Sequence, residues 1–145
     1  MICTFFGHKD TPDKIHKKLH DILIYLIEEK GVNVFYVGNQ GNFDFFVIKE
    51  LRALKTVYPQ ISYYVVLAYL PTVKSGEDYS DTILPDGIEK TIPKYAICKR
   101  NEWMINKTDY VVVYVRYSTG GAAKYKELSE KKGKTVINLF DETIL

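Results

Sequence analysis

The stretch Tyr110-Val111-Val112-Val113-Tyr114-Val115-Arg116-Tyr117-Ser118-Thr119-Gly120-Gly121 decides the fold. Its first six residues are apolar without alternation, the pattern of a strand covered on both faces of a sheet. The turn after it runs directly into a helical pattern over 122–132, which Gly133 closes with a left-handed cap before a last strand at 135–139. A doubly covered strand, a short turn, a helix and a second strand make up a parallel βαβ unit.

The same alternation extends toward the amino end. Residues 2–6 read as a strand. Thr11 is placed as N-cap and Pro12 as the first residue of a helix, with Ile15, Leu19, Ile22, Leu23, Leu26 and Ile27 at helical spacing as far as Gly31. A strand follows at 32–37. The next helix starts at about residue 43, carries Val47, Leu51 and Leu54 on its core stripe, and must stop before Pro59. Residues 61–70 form a solid apolar run suited to a central strand. From 72 to 93 the pattern lapses into a long loop, and a helix over 94–106 then feeds the decisive strand. This order predicts one α/β domain over 1–145, a Rossmann-like three-layer sandwich with a mostly parallel five-stranded sheet.

Composition narrows the functional classes. A chain of 145 residues with 46% hydrophobic and 26% charged content is sized and balanced for one folded domain rather than for disorder. The best apolar runs, 63–70 and 110–115, fall well short of the ~18 residues that a membrane helix needs, so no membrane partner is expected. Twenty Lys and Arg against eighteen Asp and Glu give a formal charge of +2, too even for a non-specific nucleic-acid binder, so no nucleic acid is expected. Cys3 and Cys98 lack metal-ligand spacing and read as buried, reduced thiols. With no signal-like amino end, the expectation is a cytoplasmic protein. Of the 14% aromatic residues, twelve are tyrosines.

Three glycine-bearing turns follow predicted strands one, two and four: Gly7-His8-Lys9-Asp10, Gly38-Asn39-Gln40-Gly41-Asn42 and Ser118-Thr119-Gly120-Gly121. The carboxyl ends of strands in an open parallel sheet line its ligand crevice, so the three turns should converge there. Two of them open onto helices, whose first turns offer unpaired N–H groups and positive potential, and phosphate is the natural occupant. Each glycine is also explained by a tight turn alone. Arg100, beside Asn101 on a helix whose Ile97, Met104 and Ile105 face the sheet, has the reach to pair with a phosphate or carboxylate; the alternative is a solvated arginine. His8 reads as a proton donor or as a hydrogen-bonding residue. Asp44 reads as a ribose ligand or as a first-turn acid favoured by the helix dipole. Tyr79 and Tyr117 are candidates for stacking on a base, and Trp103 for packing. Glu127 faces either the ligand or solvent. Nothing resembles a metal cluster, a P-loop or a nucleophile with its base, so neither metal nor cofactor is expected.

Arg100-Asn101-Glu102-Trp103-Met104, continuing to Thr108-Asp109-Tyr110-Val111-Val112 and then Gly120-Gly121, resembles the RNxxM, SDxVI and GGT pattern of the SLOG superfamily. Phe5-Phe6-Gly7-His8-Lys9 is similar to the FTGHR opening of one branch. Residues 38–44 stand at the place of GGAxGVD. The resemblance implies a Rossmann-like fold and a nucleotide-derived ligand with phosphate at the glycine-rich helix start. In the LOG phosphoribohydrolases of that superfamily an arginine and a glutamate act on an N-glycosidic bond, and Arg100 and Glu127 match those positions. Thr119, Ala123 and Lys124 replace the proline, glycine and threonine of that motif, and Asn39 and Asn42 stand where glycine is usual.

The leading expectation is therefore a protein that binds a small phosphorylated nucleotide or nucleotide-derived signal, as sensor or sequestering protein. Its alternative is a nucleoside-monophosphate N-glycosidase using Arg100 and Glu127. A third class is a ligand-free interaction module. A homodimer is an admissible assembly in each.

Overall fold

The structure, a computed structural model, describes residues 1–69 and 81–141. Six strands, β1 (Ile2–Gly7), β2 (Val34–Val37), β3 (Ser62–Val66), β4 (Thr82–Ile83), β5 (Tyr110–Tyr114) and β6 (Thr135–Asn138), form one sheet in the order β4-β3-β2-β1-β5-β6. Every pairing is parallel. Four α-helices connect them among the described residues: α1 (His16–Glu28), α2 (Gly41–Val57), α3 (Pro93–Lys107) and α4 (Gly121–Lys131). The α/β expectation holds, with six strands in place of five. The extra strand, β4, lies inside the expected loop; two residues are too short to show any periodicity, and only pairing with Val65 and Val66 defines it. The expected long loop over 72–93 lies in part outside the described residues, and Tyr79 lies wholly outside them.

Alternation along the central strands sends side chains to two cores. Cys3 and Phe5 of β1, with Phe35, Val37, Val112 and Tyr114, pack against Leu19, Leu23, Val47 and Leu51 of α1 and α2. Phe6, Val66, Val111 and Val113 pack on the opposite face against Met104, Ile105, Ala122 and Tyr125 of α3 and α4. Each fully buried large aliphatic or aromatic side chain contributes about 1.5–3 kcal/mol relative to exposure, so the two layers hold the sheet between them. Trp103 does pack, with its ring 5.3 Å from that of Tyr36.

Local details depart from the sequence reading. Thr11 caps no helix: its hydroxyl donates to the His8 carbonyl at 2.6 Å, and a 3₁₀ turn at Asp13–Ile15 precedes α1. Cys3 is buried and its thiol is pushed up by that burial, whereas Cys98 is only half-buried. Among the described residues no helix is long and apolar enough to cross a membrane.

The chain runs outward from β1 through β2, β3 and β4, then crosses to the other side of β1 at β5. That reversal opens a crevice at the carboxyl ends of the strands.

Candidate functional site

A cavity of about 320 Å³ occupies this crevice on the α3 and α4 side. Of the residues singled out from sequence, Gly7, His8, Gly38, Gln40, Asp44, Arg100, Asn101 and Gly121 line it. Asn39 stands beside it, its side-chain oxygen accepting from Arg100 Nη1 at 3.4 Å. Gly41, Tyr117, Ser118, Thr119 and Gly120 are not on its wall, and the last four are exposed. Phe5, Phe6, Lys9, Ile97, Met104, Ala122 and Tyr125 complete the wall and were not among the expected ligand residues. Tyr125 had a usable signal, since it falls one helical turn after Gly121.

Two glycines serve packing before they serve any ligand. A β-carbon on Gly7 would overlap Phe43, at 2.5 Å from its Cδ2 and 2.7 Å from its Cβ, so the first turn of α2 seats against the end of β1 only because Gly7 has no side chain. A β-carbon on Gly38 would lie 2.9 Å from Asp44 Oδ2 and 3.1 Å from Arg100 Nη1.

Arg100 is 2% exposed. Its Nε donates to Asn101 Oδ1 at 2.8 Å and its Nη1 to the Val66 carbonyl, at the end of β3, at 3.0 Å. These acceptors are neutral, and among the described residues no carboxylate lies within 4 Å of the guanidinium. Burial lowers its proton affinity, while the more distant Asp44 raises it. Burial also pushes the Asp44 carboxyl up to about 6, against the stabilising Gln40 N–H at 2.8 Å and the Arg100 charge. The result is a buried cation beside a carboxylate whose charge burial penalises, so that it takes up a proton at about pH 6. Lys9 adds positive charge to the same wall.

His8 ties two strand ends together. Its Nε2 accepts the Arg116 N–H at 3.1 Å, which places the ring proton on Nδ1. Burial and the Arg116 guanidinium lower its pKa, so the ring is neutral. Its ring lies 5.3 Å from that of Tyr117 and edge-on to Tyr114. The hydrogen-bonding reading of His8 thus describes its geometry.

Glu127 does not reach the cavity. Its side chain is 69% exposed and pairs with Lys131 at 3.2 Å, one turn along α4. Among the described residues no group of three or more metal-ligating side chains assembles. The wall therefore combines apolar side chains, Phe6, Ile97, Met104 and Tyr125, with Arg100, Asn101 and Lys9, which can neutralise an anion. That combination suits a ligand with both an apolar and an anionic part.

No family model matches the chain, and no curated protein matches it. Among solved structures, DNA processing protein A from Streptococcus pneumoniae is similar in fold, with a TM-score of 0.65 at 17% identity over 92% of this chain and 48% of that one. DNA processing protein A from Helicobacter pylori superposes with a TM-score of 0.58 at 15% identity, over 94% of this chain and 63% of that one. The chain spans less than two-thirds of either protein. The Helicobacter structure is described for its single-stranded DNA binding mode. That finding overturns the exclusion of nucleic acid drawn from net charge. The physical reason is that +2 sums the whole chain and says nothing of a local field such as that of Arg100 and Lys9. At these identities the likeness establishes a Rossmann-like α/β fold.

Proposed function

We propose that the chain binds a phosphorylated nucleotide in the crevice at the strand ends, as the SLOG resemblance implies. The observation that carries this reading is Arg100: a buried guanidinium held by neutral acceptors, with no carboxylate within 4 Å among the described residues, is balanced when an anion enters the cavity. The apolar residues of the wall suit the rest of the ligand. The glycosidase alternative draws no support from Glu127, which pairs with Lys131 outside the cavity. A second reading, that the nucleotide belongs to single-stranded DNA, is favoured by the fold likeness and by the exposed Tyr117 ring beside His8, a stacking surface for a base.

Calorimetric titration and thermal shift with the common nucleoside 5′-monophosphates, the matching nucleosides and a short oligothymidylate test both readings. A ligand at ~100 times its Kd should add about 2.7 kcal/mol of stability. Monophosphates binding more tightly than nucleosides support the first reading, and an oligonucleotide binding more tightly still supports the second. Equal responses to nucleosides and nucleotides, or none, overturn the phosphate site.

A further inference from the structure

Arg116 follows β5 at the same end of the sheet, and its hydrogen bonding is incomplete. Its Nη2 donates to Asp10 Oδ2 at 2.9 Å, but Asp10 is 73% exposed, and solvent screens that pair. Its backbone N–H is spent on His8 Nε2. Its Nε is buried and has no partner among the described residues. A buried donor left unpaired is costly, so Arg116 is not held in place by a full set of partners among the described residues. The guanidinium lies 5.0 Å over the Tyr117 ring, which itself lies 5.3 Å from the His8 ring. Around Arg116 the chain thus places a partly exposed, incompletely paired cation and two aromatic rings, one of which also lines the cavity.

The strand order sets the spacing. Arg100 is anchored at the ends of β2 and β3, through Asn39 and the Val66 carbonyl, whereas Arg116 stands at the ends of β1 and β5. With neighbouring strands ~4.8 Å apart, two spacings put the two positions about 10 Å from each other. His8, at the end of β1, comes between them.

Resting on the nucleotide reading above, we infer that Arg116 is a second anion anchor, and that the ligand carries two phosphate groups separated by one nucleoside. A nucleoside 3′,5′-bisphosphate and a 5′-phosphorylated dinucleotide share this chemistry. One phosphate meets Arg100, the other meets the accessible edge of the Arg116 guanidinium, whose side chain is 27% exposed, and the ribose and base cross His8 and Tyr117. Arginine suits this role because its planar fork keeps a donor for phosphate while another serves Asp10.

The test is calorimetric titration of the full chain with adenosine 5′-monophosphate, adenosine 3′,5′-bisphosphate, the dinucleotide pApA and the corresponding guanosine, cytidine and uridine compounds. The bisphosphate or the dinucleotide should bind at least tenfold more tightly than the monophosphate of the same base, and the stronger of the two identifies the source. Arg116→Gln should bring that ligand down to the monophosphate's affinity. Asp10→Asn, which leaves the arginine in place and frees its second edge, should tighten it. Equal affinity for mono- and bisphosphates, or an Arg116→Gln variant that keeps the preference while folded by circular dichroism, overturns the inference and leaves the nucleotide site standing. If no compound of any series binds, the nucleotide reading itself fails and the second anchor with it.

Discussion

Asp44 and Arg100 face each other across the α-carbon of Gly38: a single carbon added there would sit 2.9 Å from the carboxylate and 3.1 Å from the guanidinium. The pair is too far apart for an ion pair, and a side chain at position 38 would have to push both groups aside. Gly38→Ala should therefore displace both groups, destabilise the fold by about 1–3 kcal/mol as overpacking does, and abolish nucleotide binding. Urea denaturation and titration of the variant check this. Unchanged stability would show that the wall yields more easily than its burial implies.

Asp44 gives a pH dependence with a definite sign. Its carboxyl titrates at about 6 in the folded protein against 3.8 for the free side chain. Above pH 6 it is charged in both states, and the folded state bears the full penalty. Between pH 6 and 3.8 the folded state binds the extra proton, so this group's contribution raises stability as pH falls. Two pH units correspond to about 2 to 3 kcal/mol. Asp44→Asn should be more stable than the natural chain at pH 7, with the difference shrinking toward pH 5. Urea melts at the two pH values decide it, and a difference that widens on acidification contradicts the assignment.

Arg100→Lys should weaken nucleotide binding at least tenfold and also destabilise the free protein by about 2 kcal/mol. The buried guanidinium holds Asn101 and the Val66 carbonyl together, and lysine cannot bridge both. Thermal melts without ligand and titrations with it separate the two effects. A variant with the natural melting temperature and lost binding would mark Arg100 as a ligand group without structural duty.

Gly7→Ala should cost about 2 kcal/mol or more, because the new methyl meets the Phe43 ring. Combining it with Phe43→Ala tests the cause. The two changes should destabilise by less than the sum of their separate effects, and simple additivity would place the strain elsewhere.

Glu127→Gln should alter stability by no more than about 0.5 kcal/mol and nucleotide affinity by less than twofold, since it removes only an exposed pair with Lys131. Release of free base from a nucleoside monophosphate that Glu127→Gln abolishes would instead restore the glycosidase reading.

The sequence by itself determined the layers. The unbroken run of 110–115, the helical stripe from Leu19 to Ile27 and the stripe of Val47, Leu51 and Leu54 each report burial through a period only a few residues long, so the α/β order and the convergence of turns at one end were legible. Only the tertiary structure decided β4, which exists through its pairing with Val65 and Val66, and the division of labour among the site residues. Arg100 and Val66 are 34 residues apart, Gly7 and Phe43 are 36 apart, and His8 and Arg116 are 108 apart. No local pattern encodes such contacts. Glu127 shows the limit most plainly: its spacing from Gly120 is the one the resemblance asks for, yet a helix face is chosen by what packs beneath it. Tyr125 and Ser129 are buried against the sheet, and that rotation leaves Glu127 in solvent beside Lys131.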